Sequence, residues 1–133
     1  IGAIKTSKTA AQFDTTGLAL KLYRRHFGTI PVEVTGAPQP LDVMACWKDE
    51  AKTALTVSIV NPTRTEKILR IDFGTLKVGE TAMLRLITGN DPQLYNEPGK
   101  PPAVVIQERP GVKFGKKVAV PPISVSIYEV AVR

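Results

Sequence analysis

The sequence has 133 residues, a length typical of one domain, and a hydrophobic fraction of 43%, which argues against a disordered chain. No apolar run approaches the roughly 20 residues that a membrane helix needs, so we expect no membrane partner. The net charge of +6 comes from scattered lysines and arginines, without an arginine-rich run or a glycine-aromatic RNA motif. It indicates a solvated face or a face for an acidic partner, and we expect no nucleic-acid partner.

Cys46 and His26 are the only cysteine and the only histidine. A single cysteine forms no internal disulfide, and neither residue has the companions of a metal site. We expect Cys46 to be a buried, unreactive thiol and His26 to be a partly exposed residue near the end of a helix. The sequence therefore predicts no metal ligand and no cofactor. One free thiol is compatible with either a cytoplasmic or a secreted protein.

The first predicted element is one amphipathic helix. Residues 1–13 show no clear pattern, and after them Thr15 and Thr16 are candidates for the helix N-cap, while Gly28 is a candidate for the C-cap. Between them, four apolar residues share one face at helical spacing: Leu18, Leu22, Tyr23 and Phe27. This face needs a cover, which is either the sheet of this domain or a missing partner.

After the helix, apolar residues recur with a period of two, which is typical of strands. The sequence predicts strands at 31–35 and 41–47, a charged hairpin connection at 48–52 and a central strand within 53–63. In the central strand Leu55, Val57 and Ile59 alternate with Thr56 and Ser58. We therefore expect one face of this strand to be apolar and the other to be accessible to water.

The same alternation predicts further strands at 69–73, 82–86, 104–107 and 112–114, with a turn at 109–111. The polar segment 89–102, GNDPQLYNEPGKPP, is a long loop, and such loops are often functional or lie on a partner. In the last segment the apolar parity switches after Ile127, which indicates a β-bulge or a strand buried on both faces. About eight strands after one helix predict a mainly β fold, an antiparallel β-sandwich of jelly-roll or Greek-key type preceded by one amphipathic helix.

Four segments carry a resemblance to a known family: GLALKLYRRHFGTIPVEV, LDVMACWKDEAKTALTVSIVNPT, ITGNDPQLYNEPGKPPAVVIQE and VAVPPISVSIYEV. In this order they resemble the C-terminal region of α-L-arabinofuranosidases of glycoside hydrolase family 51. The resemblance covers nearly the whole chain. It implies that residues 1–28 are the last β/α unit of a (β/α)8 barrel whose remainder is absent, and that residues 29–133 are the C-terminal β-sandwich domain. It also implies that the missing barrel covers the helix.

The resemblance implies retaining glycoside hydrolysis by two glutamates, one acid/base and one nucleophile, both on earlier barrel strands. No glutamate of this sequence matches either motif, so we assign no catalytic residue. In that family the loop after the last barrel strand approaches the substrate, and here it corresponds to residues 4–9. Ser7 and Lys8 are therefore the candidate substrate-binding residues, although the Trp-Arg-Gln run that is frequent there is absent.

The function implied by the resemblance is structural support of the catalytic barrel in an enzyme acting on arabinose-containing plant polysaccharides, without catalysis by this chain alone. The implied partners are the catalytic barrel polypeptide, the polysaccharide and further copies in a homo-oligomer of the whole enzyme. Two alternatives stay open. One is a carbohydrate-binding module or accessory domain of another plant-wall glycosidase, such as an endoglucanase or a xylosidase, for which Tyr95 is the one aromatic residue clearly placed in a loop. The other is a protein-interaction sandwich unrelated to sugars.

Overall fold

The computed structural model of the chain describes residues 2–133, and Ile1, the first residue of the predicted barrel unit, lies outside the described residues. Eight strands follow the helix, which is the predicted number, although the strand at 117–120 was not predicted and the predicted strands at 104–107 and 112–114 are replaced by one strand at 107–113. The elements in chain order are β1 (Ile4–Thr6), β2 (Ala11–Phe13), α1 (Thr15–His26), β3 (Ile30–Val32), β4 (Asp42–Trp47), β5 (Ala54–Asn61), β6 (Lys67–Arg70), β7 (Val78–Thr88), β8 (Gln107–Lys113), β9 (Lys117–Val120) and β10 (Ser124–Val132).

Six strands form the main sheet in the order β3-β4-β5-β10-β7-β8, and each neighbouring pair is antiparallel. β5 lies inside this sheet, between β4 and β10, which confirms the predicted central strand. β1 pairs with β2, and β6 pairs with β9, in two smaller antiparallel sheets. The predicted mainly β, antiparallel fold with a helix before the main strands is confirmed, and it is consistent with a β-sandwich domain.

One face of the main sheet packs against the β6–β9 pair and forms the larger core. Leu55, Val57 and Ile59 of β5 lie in this core with exposed fractions of 3%, 3% and 0%. The β6–β9 pair contributes Leu69 and Val118 to the same cluster. Fully burying an aliphatic side chain of this size stabilises a fold by roughly 1.5–3 kcal/mol. The burial of these three residues confirms that the alternation in β5 identifies the face that packs in the larger core.

The opposite face of the main sheet is covered by α1. Leu18 and Leu22 of the helix form a second buried cluster with Ile87 of β7, Ile127 of β10 and Val104 of the loop before β8. The expectation that a missing barrel covers the apolar face of the helix is therefore wrong, because the sheet of the same chain covers it. The physical reason is that β7 and β10 carry apolar side chains on both of their faces.

The expectation that Thr56 and Ser58 are accessible to water is wrong for the same reason. Their exposed fractions are 0% and 1%. The hydroxyls of Ser58 and Tyr23 form a short hydrogen bond between β5 and the helix. Thr56 Oγ1 accepts a hydrogen bond from the Gly28 N–H at 2.9 Å and donates one to the Cys46 carbonyl at 3.0 Å. These polar side chains are tolerated in the interior because each finds a partner there.

The helix begins at a different cap from the predicted ones. The N-cap is Asp14, and its carboxylate accepts a hydrogen bond from the Thr15 N–H at 2.9 Å. Thr15 and Thr16 are the first two helical residues instead. Aspartate and threonine are both good N-cap residues, so the Asp-Thr-Thr run leaves the choice to tertiary contacts, which are described below.

The predicted C-cap, Gly28, lies one residue beyond the observed C-cap, which is Phe27. Gly28 is required by a close approach of two backbone segments. A Cβ atom at this position would lie 2.1 Å from the carbonyl oxygen of Trp47, at the end of β4. The glycine therefore lets the chain pass against β4 before it enters β3.

Two predictions in the C-terminal half are wrong. Residues 104–106 are not a strand, because the backbone N–H and C=O of Val104 bond to the Asn96 side chain, and Gln107 is already the first residue of β8. The predicted turn at 109–111 lies inside β8, where the register against β7 shifts and Gly111 has a φ of 67°. This is a β-bulge, in which a glycine readily takes the positive φ.

The parity switch in the last strand is confirmed as burial on both faces. Ile127 of β10 lies in the helix cluster, whereas Tyr128 and Val130 lie in the larger core. The register against β7 also shifts between Val130 and Val132, as a bulge requires. β10 is therefore the strand through which the two cores meet.

Replacing Tyr23 with phenylalanine should destabilise the protein, because it leaves the buried Ser58 hydroxyl without its partner. We expect the free energy of unfolding to fall by about 1–3 kcal/mol, the cost of an unsatisfied buried polar group. Ser126→Ala is the matched control, since Ser126 Oγ is buried and has no hydrogen-bond partner among the described residues. Its removal should leave the stability unchanged or raise it in urea denaturation. Equal stability of Tyr23→Phe and the wild type would contradict this role of the hydroxyl pair.

Candidate functional site

The long loop at 89–102 is fastened to the region before the helix by Asn96, which is only 2% exposed. The Asn96 side-chain amide donates hydrogen bonds to the Phe13 carbonyl at 3.2 Å and to the Val104 carbonyl at 2.8 Å. Its oxygen accepts one from the Val104 N–H at 2.9 Å. One buried side chain thus closes segment 96–104 and joins it to the residue that precedes the helix N-cap.

Asp14 completes this anchor. Its Oδ1 accepts hydrogen bonds from the N–H groups of Thr15 at 2.9 Å and Asn96 at 3.1 Å, and its Oδ2 lies 3.1 Å from Lys5 Nζ. The Asn96 N–H, followed by the Thr15 N–H, lowers the pKa of Asp14 below its ordinary value of 3.8, and Lys5 adds to this against the opposing effect of burial. The ionised carboxylate therefore joins the β1–β2 hairpin, the helix and the loop.

Tyr95 projects from the loop directly beside this anchor and is 54% exposed. Lys5 Nζ lies 4.2 Å from the centroid of its ring. Lys100 and Glu97 form an ion pair nearby, and Glu97 above all raises the pKa of Lys100, with a smaller contribution from Tyr95. We call Lys5, Tyr95, Glu97 and Lys100 the Tyr95 surface. It combines an exposed aromatic ring with hydrogen-bond donors on the two lysines and hydrogen-bond acceptors on Glu97.

The predicted substrate-binding residues, Ser7 and Lys8, lie in the turn of the β1–β2 hairpin and are both exposed. Ser7 Oγ accepts hydrogen bonds from the N–H groups of Thr9 at 3.4 Å and Ala10 at 3.1 Å, so it helps to close this turn. Ser7 and Lys8 follow Lys5 of the Tyr95 surface by two and three residues in the chain. Their contact with a substrate stays a prediction.

Glu108 and Glu129 are brought together by Arg85, whose Nε lies 3.2 Å from Glu108 Oε1 and whose Nη1 lies 3.1 Å from Glu129 Oε2. Lys48 also pairs with Glu129. Burial raises the pKa of Glu129, but the hydrogen bonds from Lys48 and Arg85 outweigh it, and the net pKa is below the ordinary value. Burial and the charge of Arg85 lower the pKa of His26, which is partly exposed as predicted. This network keeps Glu129 ionised, so it is suited to holding β7, β8 and β10 together and to fastening Lys48, the residue after β4, to them.

Cys46 is buried, as predicted, and burial raises the pKa of its thiol. This environment disfavours the reactive thiolate. Within residues 2–133, no group of three or more histidine, cysteine, aspartate or glutamate residues is placed to hold a metal ion. The same part of the chain contains no helix whose length and apolar character would let it cross a membrane.

The chain also has two concave surfaces, and the smaller of them reaches Leu94 of the long loop and Val104 just after it. The larger has a volume of about 510 Å³, lies between the main sheet and β6, and is lined by apolar side chains such as Val43, Leu69 and Phe73. The smaller has a volume of about 290 Å³ and lies beside Asn61 at the end of β5. Neither includes Tyr95 or a predicted substrate-binding residue, so the candidate site is an exposed surface.

The sequence signals for this site are uneven. Asp14 could have been found from the Asp-Thr-Thr run, since an aspartate before the first helical residue is a standard cap. Lys5 and Asn96 had no local signal, because their partners lie far along the chain. Asn96 bonds to residues 83 positions away at Phe13 and 82 positions away at Asp14.

The fold is shared with part of much longer glycoside hydrolase chains. MgGH51, an α-L-arabinofuranosidase solved with bound arabinose, superposes with a TM-score of 0.81 at 18% identity, over 100% of this chain and 22% of that chain. The α-L-arabinofuranosidase of Thermotoga maritima, solved as an arabinose complex, superposes with a TM-score of 0.75 at 22% identity, over 98% of this chain and 31% of that chain. CelM2, a bifunctional glucanase-xylanase from a metagenome library, superposes with a TM-score of 0.68 at 20% identity, over 97% of this chain and 24% of that chain.

Identities at this level establish a common fold. The resemblance to family 51 arabinofuranosidases that the sequence carries is therefore confirmed for the fold. The chain spans from 22% to 31% of the length of the arabinofuranosidase chains that it matches. No family model matches the sequence, and no curated protein matches it.

Replacing Asp14 with asparagine should destabilise the protein in a pH-dependent way. Because the folded state lowers the pKa of Asp14, the carboxylate stabilises the fold above the ordinary pKa of 3.8, and this contribution is lost as the pH falls through the folded-state pKa. We expect Asp14→Asn to lower the urea midpoint at neutral pH, and the difference from the wild type to shrink below about pH 4.

The control for this measurement is Asp49→Asn, at an exposed aspartate in the hairpin connection after β4. This variant should unfold at the wild-type urea concentration at every pH. A difference between Asp14→Asn and the wild type that stays constant from neutral pH to pH values below about 3 would contradict the role of the ionised carboxylate.

Proposed function

We propose that this chain is the C-terminal β-sandwich part of an α-L-arabinofuranosidase-like glycoside hydrolase that acts on arabinose-containing plant polysaccharides. Its role is to support the catalytic barrel, and it performs no catalysis alone. The observation that carries the proposal is the superposition of the entire chain on 22% of an arabinose-bound arabinofuranosidase, at a TM-score of 0.81. A domain of this share leaves most of such an enzyme to another part of the molecule.

The carboxylates of the chain favour a supporting role. Retaining hydrolysis uses two carboxyl groups about 5–5.5 Å apart, one of which must first be protonated to act as the acid. Glu108 and Glu129 are the pair that the fold brings together, and Arg85 bridges them. The pKa of Glu129 is lowered, which is the opposite of what a general acid needs.

The surface proposed for the barrel is the outer side of the β1–β2 hairpin and of α1. Ile4, Phe13 and Leu20 expose 54%, 39% and 63% of their surfaces there, and Ile4 is paired with Phe13 across the hairpin. The ring of Phe13 lies so close to Gly17 that a Cβ atom there would be 2.8 Å from it, which fixes the hairpin against the helix. We call Ile4, Phe13 and Leu20 the outer patch. Its apolar character fits a partner that buries it.

We propose that residues 1–28 belong to the barrel and that residues 29–133 are the β-sandwich domain. The two segments nevertheless fold together as one unit. The inner side of α1 packs on the main sheet through Leu22, which is fully buried. The outer patch is then left to contact the rest of the barrel. Polysaccharide binding through Ser7 and Lys8, and a homo-oligomer of the whole enzyme, belong to the same proposal.

The native particle that contains this chain should also contain a barrel, on the same or on a second polypeptide. Light scattering with intact mass spectrometry should give a mass above that of a lone 133-residue chain. The purified 133-residue chain should not turn over an aryl arabinofuranoside. A particle isolated from the native source that contains this chain and no barrel, or turnover by the pure chain, would contradict the proposal.

The docking surface can be tested with a charge. Leu20→Asp should weaken association with the barrel polypeptide by at least about tenfold, because the interface would bury an unpaired carboxylate. Ile68→Asp is the control, since Ile68 of β6 is 61% exposed and lies outside the outer patch. Equal binding by both variants would place the barrel on another surface.

A further inference from the structure

We infer that the Tyr95 surface is a carbohydrate-binding site in which the ring of Tyr95 stacks on a sugar of a neutral polysaccharide. The inference rests on the proposed function in one respect, that the chain serves an enzyme of polysaccharides. Four features of the chain support the site: an exposed ring on a fixed backbone, the chemistry of that ring, the ion pairs around it and its position outside the buried clusters.

The first feature is an exposed ring on a fixed backbone. Tyr95 is 54% exposed, whereas Asn96 beside it is 2% exposed and makes three side-chain hydrogen bonds and one backbone hydrogen bond to Asp14. The backbone that carries the ring is therefore held in place before any ligand arrives. The loop therefore does not have to be ordered when a ligand binds, which favours affinity.

The second feature is the chemistry of the ring. The face of an aromatic ring carries negative partial charge and attracts positive partial charge, as the position of Lys5 Nζ at 4.2 Å from the Tyr95 centroid illustrates. The C–H groups on one side of a sugar ring also carry positive partial charge and form a flat apolar surface. A sugar and the Tyr95 ring are therefore complementary in both shape and charge. Because Lys5 Nζ lies over one face of the ring, the sugar is proposed to stack on the other face.

The third feature is the rim. Lys5 is paired with Asp14, and Lys100 is paired with Glu97, so each ammonium lies beside a carboxylate. Sugar hydroxyls both donate and accept hydrogen bonds, so they can bond to the two ammonium groups and to the exposed Glu97 carboxylate, whereas Asp14 is buried. Because the charges compensate in pairs, the rim favours a neutral sugar such as a pentose over a uronic acid.

The fourth feature is that the ring is not used by the core. Leu94, next to Tyr95 in the chain, packs on the helix cluster, whereas Tyr95 belongs to neither buried cluster. Removing the ring should therefore leave the fold stable, and a Tyr95 variant reports on binding. This separates the site from Asn96 and Asp14, whose substitution would disturb the loop itself.

The experiment is affinity electrophoresis of the 133-residue chain through gels that contain soluble arabinoxylan, debranched arabinan or polygalacturonate. We expect retardation by a neutral arabinose- or xylose-containing glycan and none by polygalacturonate. Tyr95→Ala should weaken binding by about tenfold, the loss of roughly 1.4 kcal/mol of stacking. Tyr95→Phe keeps the ring and should bind within about twofold of the wild type, since its loss is limited to one hydroxyl.

The control for the loss of an exposed apolar side chain is Ile68→Ala, on β6, which should bind as the wild type does. Urea denaturation should give wild-type stability for Tyr95→Ala. The inference is overturned if no neutral glycan retards the chain, if Tyr95→Ala binds as tightly as the wild type, or if polygalacturonate alone is bound. These results do not affect the proposed supporting role, which depends on the native mass and on the Leu20→Asp comparison.

Discussion

The structure depends on the way that α1 covers two hydroxyls in the middle of the main sheet. Thr56 and Ser58 of β5 would face water if the helix were absent, and each is instead buried and paired, Ser58 with Tyr23 and Thr56 with the Gly28 N–H. A buried hydroxyl that has no partner costs about 1–3 kcal/mol. A helix that ends just before Gly28 avoids this cost, because the Gly28 N–H then reaches the Thr56 hydroxyl. The apolar contacts of Leu18 and Leu22 supply the attraction, and the two hydrogen bonds fix the position of the helix along the sheet.

The position of the helix in turn determines the candidate site. The hydrogen bond of Gly28 fixes the chain just after α1, and the start of the helix places Asp14 where one carboxylate meets both the hairpin and the loop at 89–102. Asn96 then fixes the loop, and Tyr95 is left exposed beside Lys5. A loop without helix or strand of its own is thereby given a defined surface. Binding surfaces are commonly built in this way, from loops positioned by a stable scaffold.

The sequence predicts the helix and most strands of the fold well. It predicts poorly which faces of the main sheet are buried by other elements. The period of two in β5 identified a central strand and its core face, because Leu55, Val57 and Ile59 alternate without interruption. The same alternation wrongly predicts that Thr56 and Ser58 are exposed to water. The sequence pattern of a strand does not distinguish a polar residue covered by a helix from a polar residue in solvent. The alternation also predicts a strand at 104–107, although residues 104–106 lie in the loop, where the Asn96 side chain takes the backbone hydrogen bonds of Val104. At the candidate site, Tyr95 was visible as an aromatic residue in a loop. Its anchoring through Asp14 and Lys5 depends on contacts between distant parts of the chain, which local patterns do not encode.

We expect the helix and the sheet to form one cooperative unit, because Leu22 forms one buried cluster with Ile87 and Ile127 of the main sheet. Native-state hydrogen exchange of the 133-residue chain tests it most directly. We predict that the amides of α1, around Leu22, exchange with a free energy within about 1 kcal/mol of that of the amides of β10, around Ile127, because they open together. Exchange of the helix at a much lower free energy, while β10 remains protected, would contradict the account. It would mean that the helix depends on a missing partner for its stability.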